Sequence, residues 1–125
     1  MNHIKSFEDL IVWQEAHKLM LKSYKLTQLL PIDEKFNRII QIKKSCSSTP
    51  ANIAEGYGRY HYLENIQFCR QARGSLDELK NHIIAARDLK QAPIEICQEL
   101  IEDCNKVRAL LNGYIKATFN LKNKI

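Results

Sequence analysis

Chain-breaking residues are few and widely spaced in this sequence, whose 125 residues include only 4 glycines and 3 prolines. A sheet fold needs many turn residues, so this scarcity favours long helices. Three places interrupt the chain, at Leu30–Pro31, Gly56–Gly58 and Ala92–Pro93. They divide it into four segments of helical character, at about 7–30, 33–56, 62–91 and 93–121.

The first and last segments each carry a wide apolar face at helical spacing, marked by Val12 and Leu19 in one and by Cys104 and Leu111 in the other. Because the connections are short, we predict an all-α fold in which residues 1–125 form one antiparallel, up-down-up-down four-helix bundle. Both apolar faces exceed the arc of ~100° that a helix at the edge of a core needs. Contact with two neighbouring helices explains the excess, and so does burial in an oligomer.

Two residues that disfavour helices fall inside the predicted helices. Pro50 removes a backbone donor and is expected to kink helix two near Cys46. Gly74 costs ~1 kcal/mol relative to alanine in a helix interior. Close approach of another helix would account for this glycine.

The chain shows no pattern that supplies catalytic or metal-binding chemistry. Its four cysteines (Cys46, Cys69, Cys97 and Cys104) form no C-x-x-C pair and are expected to be free, buried thiols. Its histidines (His3, His17, His61 and His82) belong to no zinc-protease motif. Glu78 and His82 are four residues apart, whereas a di-metal bundle site needs Glu-x-x-His on two helices. We expect no catalytic residue, metal, cofactor or small-molecule substrate.

No apolar run approaches the ~20 residues that span a bilayer, and the first residues lack the apolar stretch of a secretory signal. We therefore expect a cytoplasmic protein without membrane contact.

Positive charge is concentrated between residues 18 and 44, where Asp33 and Glu34 are the only acidic residues. Antiparallel packing would add two arginines of helix three to this cluster. We predict that these side chains form a basic patch that contacts nucleic-acid phosphates: Lys18, Lys22, Lys25, Arg38, Lys43, Lys44, Arg70 and Arg73. The alternative is a solvated face with ordinary ion pairs, such as Glu15 with Lys18. No aromatic interleaving accompanies the patch, so we expect shape and phosphate contacts instead of base stacking.

Three stretches resemble a known family: Phe7–Gln14, Ala51–Arg59 (Ala-Asn-Ile-Ala-Glu-Gly-Tyr-Gly-Arg) and Ala72–Leu79. The sequence resembles the small bacterial four helix bundle proteins that are encoded within intervening sequences of large-subunit ribosomal RNA genes. The order and spacing of the stretches match this family from about residue 6 to residue 115.

The resemblance implies a ring-like homopentamer and a relation to the accessory variability determinant of diversity-generating retroelements, which binds nucleic acid and a reverse transcriptase. We expect a non-catalytic, oligomeric module that binds RNA or DNA. The alternatives are a reverse-transcriptase accessory protein and a purely protein-binding scaffold. The motif residues are expected to serve packing or a subunit interface, with ligand binding as the alternative: Asn52, Glu55, Gly56, Arg59, Gly74, Ser75 and Glu78. Arg59 is the candidate partner of Glu55, and direct contact between Asn52 and Ser75 is not expected.

Overall fold

The structure is a computed structural model that describes residues 4–123. Within that range it contains four α-helices and no strand: α1 (Ile11–Thr27), α2 (Arg38–Tyr57), α3 (Tyr62–Asp88) and α4 (Ile94–Asn123). Short 3-10 turns at Phe7–Asp9 and Ile32–Glu34 precede α1 and α2. The predicted all-helical architecture is therefore confirmed, and His3 lies outside the described residues.

Side-chain contacts between neighbouring helices show that the helices are antiparallel. As the residue number rises along α3, the number of its hydrogen-bond partner on α4 falls. The pairs are Arg73 with Asn112, Asp77 with Arg108, Lys80 with Asn105 and Arg87 with Gln98. Among the pairs of neighbouring helices, α2 and α3 share the most extensive packing, and α1 and α4 share the least. The seam between α1 and α4 is therefore the most open side of the bundle.

The close packing of α2 on α3 depends on a glycine. A Cβ atom built on Gly56 would lie 2.8 Å from Oδ1 of Asn65 and 2.9 Å from Cβ of Phe68. Both distances are shorter than van der Waals contact, so only glycine fits this crossing. The Oδ1 atom of Asn65 also accepts a hydrogen bond from Sγ of Cys69, and its Nδ2 donates to the Tyr114 hydroxyl, which ties α3 to α4.

Two helices begin later than the sequence predicts. Ser6 caps a separate turn at Phe7–Asp9, and α1 starts only at Ile11. The helix α2 starts at Arg38 because Glu34 stands in front of it, where its carboxylate accepts a hydrogen bond from the Arg38 backbone N–H at 3.3 Å. This bond satisfies one of the backbone N–H groups that lack a partner in the first turn of α2. Asp88 ends α3, and Lys90 takes a left-handed conformation with φ 57°.

The helix α2 continues through Pro50, which is buried. Ser45 and Thr49 donate their hydroxyl hydrogens back to the carbonyls of Gln41 and Ser45, at 2.7 and 3.0 Å. These bonds satisfy hydroxyl groups that are otherwise enclosed by apolar side chains. The bend that Pro50 is expected to cause near Cys46 stays a prediction.

The four cysteine side chains lie in the core, as predicted, and none is in a disulfide. Burial raises the pKa of the Cys46 and Cys69 thiols to about 11 and that of Cys104 to about 12. These groups therefore stay protonated and pack as small apolar side chains. Along residues 4–123, no helix is long and apolar enough to cross a membrane.

Candidate nucleic-acid interface

Acidic residues of α1 and α4 neutralise two lysines of the predicted basic patch. Lys22 contacts Asp103 at 2.7 Å and Glu99 at 3.2 Å, and these partners raise its pKa. Lys18 contacts Glu15 at 3.0 Å. Both lysines therefore line the α1/α4 seam as members of ion pairs, and their amino groups carry little uncompensated charge.

Arg38 is held by its neighbours at the start of α2. Its Nη1 lies 3.0 Å from Nδ1 of His82 in α3, and its Nε lies 3.4 Å from the Glu34 carboxylate. Because a guanidinium only donates, Nδ1 of His82 must be the acceptor, and the ring proton sits on Nε2. That Nε2 lies 3.8 Å from the Glu78 carboxylate. Arg38 is thus part of a structural network between α2 and α3.

This network predicts a pH-dependent stability. Burial and the Arg38 charge lower the pKa of His82 below 6.5, and together they outweigh the attraction of Glu78. The unfolded chain therefore binds more protons than the folded one just below pH 6.5, so the free energy of unfolding falls as the pH falls through that range. Urea unfolding of the native chain and of His82→Gln at several pH values should show this. The free energy of unfolding should change less steeply with pH in the variant. An equal slope in both proteins would contradict the prediction.

The two arginines of α3 do not join the lysines of α1 and α2. Arg73 donates to Oδ1 of Asn112 at 2.9 Å and so lies at the α3/α4 seam, while Lys43 lies at the α1/α2 seam on the other side of the bundle. Arg70 is exposed on α3. The prediction that all these cations share one region of the protomer is wrong, because it used helix levels and did not consider which side of each helix faces which neighbour.

Three exposed lysines of the predicted patch remain: Lys25, Lys43 and Lys44, called here the lysine trio. None of them makes an ion pair within the described part of the chain. The only carboxylates within α1 and α2 are Glu15 and Glu55, and both have other partners, Lys18 and Lys106 for Glu15 and Arg59 for Glu55. The lysine trio therefore presents uncompensated positive charge.

Residues of the Ala51–Arg59 motif fasten the end of α2 to α3. Arg59 contacts Glu55 at 2.7 Å, as expected, and its guanidinium lies 4.7 Å from the centre of the Phe68 ring. Asn52 donates to the Ser48 hydroxyl at 3.0 Å, and that hydroxyl lies 2.8 Å from the Ser75 hydroxyl. Asn52 and Ser75 are thus linked through Ser48, a residue that the sequence analysis did not single out.

Gly74 differs from Gly56 in its surroundings. A Cβ atom built on Gly74 would meet nothing within 4 Å, and the residue is exposed on α3. The predicted close approach of another helix is therefore absent within the protomer.

Aromatic side chains, which the sequence analysis did not associate with the basic residues, lie at the α1/α2 seam. The Tyr24 hydroxyl is 3.3 Å from the Ser47 hydroxyl of α2, and Nζ of Lys43 is 5.4 Å from the centre of the Tyr24 ring. His17 and Trp13 stack with ring centres 4.8 Å apart. Positions 13, 17 and 24 share one face of a helix, so their spacing in the sequence could have predicted an aromatic face on α1.

Among residues 4–123, no three His, Cys, Asp or Glu side chains converge in a way that would hold a metal ion.

Comparisons with known proteins give one family. The model of the family described as 23S rRNA-intervening sequence protein matches residues 8–113. The structure is similar to that of a protein of unknown function from the S23 ribosomal protein family of Bacteroides thetaiotaomicron VPI-5482. The TM-score is 0.79 at 20% identity, over 85% of this chain and 99% of that one. No curated protein sequence matches the chain.

Proposed function

Because the chain belongs to the 23S rRNA-intervening sequence protein family, we propose that it is a non-catalytic, oligomeric module that binds nucleic acid through the lysine trio. The observation that carries this proposal is the uncompensated charge of Lys25, Lys43 and Lys44, in a chain with net charge +5. Lysines without carboxylate partners are free to contact phosphates and to release the counterions around them. The ion-paired Lys18 and Lys22 and the network-bound Arg38 are structural in this proposal.

Charge removal tests the proposal. The triple variant Lys25→Gln, Lys43→Gln, Lys44→Gln should weaken binding of a labelled duplex RNA, measured by fluorescence anisotropy. The slope of log K against log salt should become shallower by about 0.9 for each lost phosphate contact on a duplex. The matched control carries the same change in charge at cations that have partners: Lys80→Gln, Lys106→Gln, Arg108→Gln. Equal effects of the two triple variants would refute a specific role for the lysine trio.

The α1/α4 seam supports the oligomeric part of the proposal. Two adjoining cavities, of about 440 and 450 Å³, run along it and share Lys22 and Lys25. Leu21, Leu29 and Ile96 line this groove and are 51%, 48% and 37% exposed. A neighbouring subunit that packed on these three side chains would bury them, and in this proposal the exposed Lys25 lies at the edge of that contact, where its amino group still meets a phosphate. In a ring, each subunit would offer this groove to a different surface of the next one.

Light scattering tests the assembly. A pentamer of this 14.6 kDa chain has a mass of about 73 kDa. The double variant Leu21→Glu, Leu29→Glu should dissociate it, because two carboxylates would be buried at the contact. Leu63→Glu, which changes an exposed residue of α3, is the control. A native mass of 14.6 kDa would refute the oligomer.

The end of the bundle formed by the α1–α2 connection favours a second function, docking of a protein such as a reverse transcriptase. Ile32 and Phe36 are 77% and 83% exposed there. Failure to bind nucleic acid at low salt, together with a co-purifying protein that Phe36→Asp releases, would favour this function over the first.

A further inference from the structure

The α1/α2 seam combines aromatic rings with positive charge. On α1, Trp13, His17 and Tyr24 follow one another at helical spacing. Tyr24 is 41% exposed, and His17 is half-buried with one ring face against Trp13. Tyr24 and His17 are two helical turns apart, roughly 10 Å along the axis. Two aromatic side chains are thus accessible from the same side of the bundle.

Two interactions fix these rings in place. The hydrogen bond between the Tyr24 and Ser47 hydroxyls holds the phenol against α2, and the stack on Trp13 holds the imidazole of His17. The Lys43 side chain lies over the Tyr24 ring, and its amino group has no carboxylate partner in the described structure. Moving this flexible side chain toward a phosphate would expose the ring without breaking an ion pair.

Acidic residues are missing from this surface. Between Glu15 and Glu55 the only carboxylates are Asp33 and Glu34, in the connection at the end of the bundle. Glu15 faces Lys106 of α4, and Glu55 is held by Arg59. Charge thus favours a polyanion along the part of the seam that α1 and α2 form.

We propose that the α1/α2 seam binds single-stranded nucleic acid, with unpaired bases stacked on Tyr24 and His17 and with phosphates at Lys43 and Lys44. The inference rests on the proposed function and specifies the form of nucleic acid that this surface takes. Bases within a duplex are already stacked on one another, so they cannot use these rings, whereas unpaired bases stack readily on tyrosine and histidine. Stacking tolerates any base, so we expect little sequence preference.

Anisotropy with a labelled single strand and with its duplex, at equal salt, tests the inference on the full chain. Tyr24→Leu keeps an apolar side chain but removes the ring, and it should weaken single-strand binding about tenfold while leaving duplex binding unchanged. Tyr24→Phe keeps the ring and loses the hydrogen bond to Ser47, so it should lose less single-strand affinity than Tyr24→Leu does. Tyr60→Leu changes a tyrosine that is 92% exposed at the opposite end of the bundle and should change neither affinity.

Trp13 provides a second signal that needs no variant. It is the only tryptophan and it stacks on His17, so a base that reaches His17 should quench its fluorescence. The single strand should cause this quenching and the duplex should not. The inference is overturned if Tyr24→Leu weakens both forms equally, if it weakens neither, or if Trp13 fails to distinguish them. In those cases weaker binding by the triple variant of the lysine trio would still support the proposed function. Absence of binding to either form of nucleic acid would refute both proposals.

Discussion

Replacing Gly56 by alanine is expected to lower the free energy of unfolding by about 2 kcal/mol, although alanine is the better helix former. The new Cβ would lie 2.9 Å from Cβ of Phe68 and 3.0 Å from the Asn65 carbonyl oxygen. Neither atom belongs to the flexible end of a side chain, so α2 and α3 must move apart. Urea unfolding followed by circular dichroism measures the loss.

Alanine substitutions at the other helix-interior glycines are matched controls, for which we expect the opposite change in the free energy of unfolding. A Cβ on Gly74 or on Gly113 meets nothing within 4 Å. Alanine at either position should therefore raise the free energy of unfolding, by up to about 1 kcal/mol. If Gly56→Ala also raised the free energy of unfolding, the α2–α3 crossing would not be closely packed. A loss for Gly74→Ala that appears only in the assembled protein would place Gly74 at a subunit contact.

Native protein is expected to resist thiol reagents, with every cysteine reacting only after unfolding. The pKa of Cys104 is raised from 9.0 to about 12, so its thiolate is about a thousandfold scarcer than that of a free thiol near neutral pH. Burial also raises the pKa of the Cys97 thiol, even though the nearby Arg87 charge favours the thiolate. The rate at which the thiols release the coloured product of a disulfide reagent, measured with and without urea, compares the reactivity of the unfolded and native protein. Rapid modification of the native chain would contradict this burial.

The helical segments could be predicted because their limits depend on local chemistry. The segment that begins after Pro93 was placed within one residue, since proline fixes the first turn of a helix. The start of α2 was placed too early, because Glu34 acts from outside the helix through the Arg38 backbone N–H. A carboxylate near a predicted helix start indicates the region but does not fix the first residue.

The basic surface could be predicted only in part, because its charge depends on contacts that are distant in the sequence. Lys22 is neutralised by Asp103, which lies in the last helix. Composition shows the cluster at residues 18–44, but only the packing of α1 against α4 shows which lysines have partners. Likewise, the sequence does not distinguish Gly56, which packs closely against α3, from Gly74, which faces open space.

The even number of antiparallel helices places the start of α1 and the end of α4 at the same end of the bundle. Ile4 and the last turn of α4 therefore lie at the same end as the α2–α3 connection, and the Tyr57 hydroxyl contacts the Ile4 carbonyl there at 3.4 Å. Ile32 and Phe36 are at the opposite end. A fluorescent protein or affinity tag attached ahead of Ile4 or beyond the last turn of α4 would consequently leave the proposed protein-docking end uncovered, and a chain immobilised through such a tag would present that end to solution.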